Sequence, residues 1–191
     1  MEKHLTLPLR DEDILDLKTG DFVYLTGNMF VARDAAHKRI FELLNNGKNL
    51  PIELLGACIY YMGPSPARPG RVIGSAGPTT ATRMDKYAPA FLDAGQKVMI
   101  GKGRRSSEVM DAIVRNHAVY MAAVGGAGAL LSKCIKESKI VCYEDLGAEA
   151  VRKIRVEDFP VIVAADCSGN NIYDLNEYED IIHENLQTRI H

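Results

Sequence analysis

The sequence of 191 residues lacks the features that mark several large classes of protein. It contains no tryptophan, and no apolar run in it reaches the length needed to span a membrane. The formal net charge is -2 at pH 7, so there is no basic excess to bind nucleic acid or an anionic membrane surface. The N-terminus has no signal-peptide core, and we therefore expect a cytoplasmic protein.

The four cysteines lack the spacing of a metal site. They are Cys58, Cys134, Cys142 and Cys167. None forms a Cys-x-x-Cys pair, and none has a histidine at the distance seen in zinc sites. Because they fall mostly in apolar runs, we interpret them as reduced core residues. This predicts that the chain by itself holds no zinc ion or iron–sulfur cluster.

Two glycine-rich segments also lack the spacing of nucleotide-binding loops. Gly101-Lys102-Gly103 does not match GxxxxGK(S/T), which argues against ATP. The segment from Gly125 fails the dinucleotide pattern GxGxxG, because Leu131 stands where the last glycine should be. Glycines beside Lys102 would still let an anion approach the backbone and meet the ammonium group. A tight turn with a solvated lysine explains the same residues equally well.

The length and a hydrophobic fraction of 47% are typical of one globular domain, here residues 1–191. Strand and helix patterns alternate through the middle of the chain, and strands cluster after residue 138, which predicts an α/β fold with a mixed sheet. The predicted strands are 21–26, 57–62, 71–74, 97–100, 118–124, 139–143, 151–156 and 160–164. The predicted helices are 33–46, a kinked helix or two short helices at Pro89, a helix capped by Ser106, a helix through 129–134, and a tail helix over 176–191.

The stretch from Gly74 to Met84 is the centre of the predicted site. It predicts a strand end, a turn at Gly77-Pro78, and a helix capped by the hydroxyl of Thr79 or Thr80. Such a junction directs backbone N–H groups, hydroxyls and the Arg83 cation towards one place, which suits a carboxylate or a phosphate. Taken alone, the stretch is explained more simply as a well-capped helix with a solvated arginine.

Other predicted junctions bring further cations to the same edge of the sheet. Strand ends lead into helices near Gly74, Gly101 and Gly125. Ligands of α/β sheets gather at such ends, so Thr79, Arg83 and Lys102 are predicted to converge. Arg33 would join them from the start of its own helix, where the helix dipole disfavours a cation. Two arginines and a lysine around a threonine suit a small dicarboxylate.

The motifs that carry these residues resemble those of class I, iron–sulfur-dependent fumarate hydratases. They are RDAAHKR at 33–39, YYMGP at 60–64, GPTT at 77–80 with RMD at 83–85, IGKG at 100–103, EDLG at 144–147 and VEDFP at 156–160. Nearly the whole chain resembles the β subunit of these enzymes, equivalent to the C-terminal domain of their single-chain forms. L(+)-tartrate dehydratase β subunits are similar.

The resemblance implies a three-layer β/β/α swivelling domain with a mixed sheet, working as a hydro-lyase subunit. The implied partner is an α subunit, in an α2β2 assembly, whose three cysteines hold an oxygen-sensitive 4Fe-4S cluster. One open iron of that cluster acts as a Lewis acid on the substrate. The implied reaction is the reversible hydration of fumarate to L-malate, and dehydration of L(+)-tartrate is the alternative.

The resemblance also assigns roles to residues of this chain. Arg33, Arg83 and Lys102 correspond to substrate-carboxylate contacts, with Thr80 beside them, and Thr79 and Lys102 are the implied catalytic residues. A threonine hydroxyl is a weak base, so Thr79 would need activation by nearby cations or a partner carboxylate. Other acid–base groups would come from the α subunit, so we expect the isolated chain to be inactive. A non-catalytic anion-binding module and a self-sufficient enzyme using Thr79 and Lys102 are the competing hypotheses.

Overall fold

The computed structural model describes residues 2–123 and 127–174, so the predicted tail helix at 176–191 lies outside the described residues. The strands are β1 Glu2–Thr6, β2 Phe22–Val31, β3 Cys58–Tyr60, β4 Val98–Gly101, β5 Val119–Ala122, β6 Ile135–Cys142 and β7 Val151–Ala165. The α-helices are α1 Asp11–Asp16, α2 Asp34–Asn45, α3 Ala88–Asp93, α4 Ser107–Arg115 and α5 Gly128–Cys134. Short 3₁₀ helices span Ala81–Met84, Glu144–Glu149 and Ile172–Asp174.

The strands form one mixed sheet that closes on itself. Strands β1 to β5 run parallel in the order β1-β2-β3-β4-β5. The 15-residue strand β7 pairs antiparallel with β5, β6 and also β2. Strands β2, β3, β4, β5 and β7 therefore make a closed ring, with β1 and β6 attached outside it. This confirms the predicted α/β fold with a mixed sheet.

Alternate residues of the ring strands enter two separate cores. In and just after β3, Cys58, Tyr60 and Met62 belong to a core inside the ring, which receives residues from all five ring strands. Ile59 and Tyr61 face the other core, beneath helices α2, α3 and α4. The ring thus supplies two β layers and the helices a third. A strand buried on both faces has an uninterrupted apolar sequence, which explains the run at 57–62.

Several predicted strand bounds were wrong. The strand predicted at 21–26 is too short. Gly27-Asn28 has the sequence of a turn, but β2 continues past a β-bulge there to Val31. The separate strands predicted at 151–156 and 160–164 are one strand, β7, in which Asp158 has a φ of 48°. Residues 71–74 form no strand, and β1 was not predicted at all.

The helices follow the prediction more closely. The 3₁₀ helix Ala81–Met84 and helix α3 are the two short helices expected around Pro89, which sits in the first turn of α3, where its missing N–H costs nothing. Ser106 caps α4 as predicted, since its Oγ accepts a hydrogen bond from the Val109 N–H at 3.3 Å. Val114, an apolar residue of α4, is 41% exposed.

The cysteines are all free thiols, as expected, but only two of them are core residues. Cys58 and Cys167 are buried, whereas Cys134 and Cys142 are half-buried. Within residues 2–123 and 127–174, no helix is long and apolar enough to cross a membrane.

Candidate active site

The predicted site residues lie along one edge of the sheet, at the carboxyl ends of parallel strands. Arg33 follows the end of β2, and Lys102 follows the end of β4. Strand β3 pairs with both and lies between them. Parallel neighbours end at the same edge, so these cations share the edge where α/β sheets bind ligands.

Residues 78–81 fill the space between the extensions of β3 and β4 and bring the threonines to Lys102. The Thr79 N–H donates to the Tyr61 carbonyl at 2.8 Å, and the Thr79 carbonyl accepts from the Lys102 N–H at 3.3 Å. The Ala81 N–H then donates to the Lys102 carbonyl at 2.8 Å. Thr79, Thr80 and Lys102 are therefore fixed side by side through their backbones.

This arrangement corrects the predicted role of the threonine hydroxyls in capping. Thr80 is the residue that precedes the 3₁₀ helix Ala81–Met84, but its side chain makes no capping hydrogen bond. In the part of the chain that the structure describes, neither hydroxyl has a hydrogen-bond partner of its own. The hydroxyls of Thr79 and Thr80 are thus available to a ligand.

The edge of the sheet that carries Arg33, Thr79, Thr80, Arg83 and Lys102 forms a rim. Arg83 and Lys102 are its exposed cations. Arg83 lies in the 3₁₀ helix that begins directly after Thr80. No ion pair or side-chain hydrogen bond joins either cation to another described residue. Like charges close together are unfavourable without a counterion, so the rim favours an anionic ligand or an acidic partner group.

Arg33 is more enclosed than the other cations of the rim. Its side chain is 23% exposed and lies against Gly63, where an added Cβ would stand 2.5 Å from Nη1 of Arg33. Its Nε lies 3.6 Å from Glu149 Oε1 and 3.7 Å from Asp34 Oδ1, without a hydrogen bond to either. Two carboxylates therefore lie close enough to attract the cation, although the buried Nε makes no hydrogen bond to either.

His37 holds the backbone of Arg33 from the side of the core. Its Nδ1 lies 2.8 Å from the Arg33 carbonyl, and because a carbonyl only accepts, Nδ1 carries the proton. The ring is fully buried and stacks on Phe91, with 4.8 Å between centroids. Burial lowers the pKa of His37 to about 4, so the ring is neutral at pH 7.

We expect His37 to make the fold sensitive to mild acid. The unfolded chain takes up a proton near pH 6.5, whereas the folded chain does so only near pH 4, so the free energy of unfolding falls as the pH falls between these values. From pH 7 to pH 4.5 this loss should be about 2–3 kcal/mol. It can be measured by urea unfolding at both pH values.

His37→Asn is the matched control for this prediction. Asparagine keeps an N–H donor near the position of Nδ1 but does not titrate. The variant should be less stable at pH 7, because it loses the stacking on Phe91, yet its stability should fall less on acidification. An equal fall in both proteins would contradict the role given to His37.

The loop after β4 is fixed by two tyrosines. Gly103 has a φ of 87°, a conformation that favours glycine. Its carbonyl accepts a hydrogen bond from the Tyr120 hydroxyl at 2.9 Å, and its N–H donates to the Tyr173 hydroxyl at 3.0 Å. These contacts hold the backbone next to Lys102, whose own side chain is exposed.

A buried ion pair joins this loop to the end of the 3₁₀ helix. Arg105 Nε donates to Asp85 Oδ1 at 2.7 Å, and the Ser106 N–H donates to Asp85 Oδ2 at 2.7 Å. The side chains of Arg105 and Asp85 are 1% and 11% exposed. The guanidinium also lies over the rings of Tyr61 and Tyr120, 5.4 Å and 4.8 Å from their centroids.

Sequence reasoning missed three charged residues around the rim: Asp85, Arg105 and Glu149. Asp85 follows Arg83, and Arg105 follows Arg104, without any local pattern that separates a buried charge from a solvated one. Glu149 lies near Arg33 in the structure but follows it by 116 positions in the sequence. Only the tertiary structure brings such residues together.

The described residues do not fit an iron–sulfur cluster or another metal site. Within them, no group of three or more histidine, cysteine, aspartate or glutamate side chains is placed to hold a metal ion. The four cysteines belong to separate segments of the fold. No chemical step can therefore be assigned to a metal held by the described part of this chain.

The fold and the rim together define an α/β domain that presents clustered cations at the carboxyl edge of a mixed sheet. A model of the family described as "Fumarase C-terminus" matches residues 2–176. The chain belongs to this family, which confirms the resemblance found from the motifs.

Relatives of two kinds share the sequence. Fumarate hydratase 2 of Leishmania major is 42% identical over 81% of this chain, and the anaerobic class I fumarate hydratase of Escherichia coli K12 is 42% identical over 78%. This chain spans only 28% of the length of each. The L(+)-tartrate dehydratase subunit beta of E. coli K12 is 32% identical, and the match covers 100% of this chain and 98% of that subunit.

Proposed function

We propose that this chain is the β subunit of an iron–sulfur hydro-lyase that reversibly hydrates fumarate to L-malate. The observation that carries the proposal is the rim on which Arg83 and Lys102 stand exposed and unpaired among described residues, beside Thr79 and the half-enclosed Arg33. Family membership supports hydro-lyase chemistry, since the relatives named above are fumarate hydratases and a tartrate dehydratase subunit. The match to 98% of the length of a tartrate dehydratase subunit named beta supports a divided enzyme.

In this proposal the three cations of the rim bind and orient the substrate. Arg33 and Arg83 each offer a planar fork of N–H donors, which matches the two oxygens of a carboxylate. Lys102 adds a compact charge beside the threonines. Because Arg33 is attracted by Glu149 and Asp34, it meets the substrate already positioned, which reduces the ordering cost of binding.

Thr79 is the proposed base on this chain. Its Oγ1 would take the proton that leaves the substrate carbon during dehydration and return it during hydration. The neighbouring cations of Lys102 and Arg83 favour the charged form of such a hydroxyl, and a carboxylate of the partner could assist it. Thr80 contributes a second hydroxyl to the substrate's oxygens.

We propose that an α subunit completes the site and holds the 4Fe-4S cluster. That cluster supplies a Lewis acid for the substrate hydroxyl when it is bound. An α2β2 assembly in the cytoplasm fits a divided enzyme with four free cysteines, since thiols stay reduced there. The isolated β chain is then inactive.

The proposal is tested by anaerobic co-expression of this chain with its candidate α chain, followed by cluster reconstitution. Turnover of fumarate, L-malate and L(+)-tartrate is measured by absorbance, with each chain alone as a control. Activity confined to the complex would support the divided site. A complex with an intact cluster that turns over none of the three would overturn the proposed reaction.

Dehydration of L(+)-tartrate is the first alternative, favoured by the match over the full length of a tartrate dehydratase β subunit. Malate and tartrate differ by one hydroxyl, so the same forked contacts to carboxylates serve both. A discriminating contact must therefore pair with, or exclude, that hydroxyl. The ratio of kcat/KM for the two substrates in the assay above separates the alternatives.

A non-catalytic anion-binding module is the second alternative. A cleft of about 350 Å³ that contains none of the predicted site residues is lined by Arg68, Arg71 and Lys133, together with three serines. This cationic cleft would serve a module that only binds anions. Calorimetric titration of phosphate and succinate into the isolated chain tests it. Binding that is lost in Arg68→Ala and kept in Arg83→Ala, in a complex without turnover, would favour the module.

A further inference from the structure

We infer that Asp85 and Arg105 are positioning residues that set the relative placement of Arg83 and Lys102, an inference that rests on the proposed function. Neither residue is exposed enough to meet a substrate, but each belongs to a segment that carries a rim cation. Asp85 directly follows the 3₁₀ helix that contains Arg83. Arg105 follows Lys102 by three residues, in the loop after β4.

The contacts of the pair give it a fixed geometry. Both oxygens of Asp85 are engaged, one by the Arg105 Nε and one by the Ser106 N–H, each at 2.7 Å. Arg105 is further held between two aromatic rings and donates from Nη1 to the Met99 Sδ at 3.2 Å. A guanidinium group with contacts on several sides has little freedom to shift. The distance between the 3₁₀ helix Ala81–Met84 and the loop after β4 is therefore fixed.

Stability alone is a poor explanation for this pair. Removing two charges from water costs free energy that their mutual attraction often fails to recover, and apolar replacements of similar volume are often as stable. The hydrogen bonds between Gly103 and the hydroxyls of Tyr120 and Tyr173 already hold the loop after β4 at another point. What the ion pair adds is a direct link between the Arg83 helix and the Lys102 loop.

The double variant Asp85→Leu/Arg105→Met separates positioning from stability. We expect its unfolding midpoint to stay within a few degrees of wild type, since the apolar pair fills the same space. In the assembled enzyme its kcat/KM should fall about 10²-fold, because a displacement of about 1 Å in a binding group has that effect. Arg105→Lys, which keeps the charge and loses the fork, should recover part of this loss.

An exposed ion pair provides the matched control. Arg115 and Asp93 are joined by two hydrogen bonds at 2.9 Å and 2.8 Å on the surface of α4 and α3. Asp93→Leu/Arg115→Met should leave kcat/KM within twofold of wild type. A folded Asp85/Arg105 double variant with wild-type kcat/KM would overturn the inference. If that variant does not fold, Asp85→Asn takes its place, and wild-type kinetics there would also overturn it.

A crystal structure of the variant β chain distinguishes failure of this inference from failure of the proposed function. The inference predicts that the 101–106 segment moves relative to the 3₁₀ helix Ala81–Met84, whether or not the complex turns over fumarate. Unmoved segments in a folded variant would overturn the inference. An inactive wild-type complex with moved segments in the variant would overturn only the proposed reaction.

Discussion

Replacing Arg33 or Arg83 by alanine in the assembled enzyme should weaken binding of the dicarboxylate by about 2–4 kcal/mol, which is about 30- to 10³-fold in KM. The physical reason is that a substrate carboxylate loses its forked cation when it has already left water. Steady-state kinetics with fumarate and L-malate measure the effect. Arg39→Ala is the control, because Arg39 pairs with Asp145 at the surface and should be neutral within twofold.

The two variants should differ in stability although they share a kinetic effect. Arg83 is exposed, so Arg83→Ala should leave the unfolding midpoint unchanged. Arg33→Ala removes the cation from between the buried oxygens of Glu149 and Asp34, so the folded protein should be destabilised. Unchanged KM in both variants would remove these arginines from the substrate site.

Lys102→Met should lower kcat by about 10²- to 10⁴-fold, the range seen when a group that assists proton transfer is lost. Methionine keeps the length and the apolar stem of the side chain and removes only the charge. Because Lys102 is exposed, the urea unfolding curve should match that of wild type.

Lys38→Met provides the comparison for Lys102→Met, since Lys38 is also exposed but lies on α2. It should keep wild-type kcat. A cooperative loss of structure in Lys102→Met, with none in Lys38→Met, would show that Lys102 stabilises the fold and does not act in turnover.

The sequence predicted the fold class because its strongest strands are buried on both faces. The run at 57–62 is an unbroken apolar stretch, and so is 98–100 within the predicted segment 97–100; the structure confirms strands β3 and β4 there. Local signals failed where a long-range pairing overrides them. Gly27 is a turn signal by itself, but pairing with β7 carries the strand through it as a bulge.

The sequence also predicted which residues share the rim, although one step of that reasoning was wrong. Residues 71–74 are not the strand that delivers Thr79 to the site. The threonines arrive through backbone pairing with Tyr61 and Lys102 instead. The roles assigned to Thr79, Thr80, Arg33, Arg83 and Lys102 remain predictions, since they depend on a substrate and a partner.

The charged residues that pair behind the rim, Asp85, Arg105 and Glu149, could not be predicted, because their pairing depends on tertiary structure. Asp85 and Arg105 are 20 residues apart, and Arg33 and Glu149 are 116 apart. In the sequence Asp85, Arg105 and Glu149 are three charged residues among many. Only the fold places Asp85 against Arg105 and Glu149 near Arg33.

The closed ring also determines when this chain can fold during its synthesis. Strand β2 ends at Val31, but its antiparallel partner β7 begins only at Val151. The ring therefore cannot close until β7 has left the ribosome, and its formation depends on contacts of high sequence separation, which form slowly. Until then the edges of β2 and β5 are unpaired with β7 and open to other chains. Folding of this chain is thus most exposed to aggregation during translation, before β7 is made.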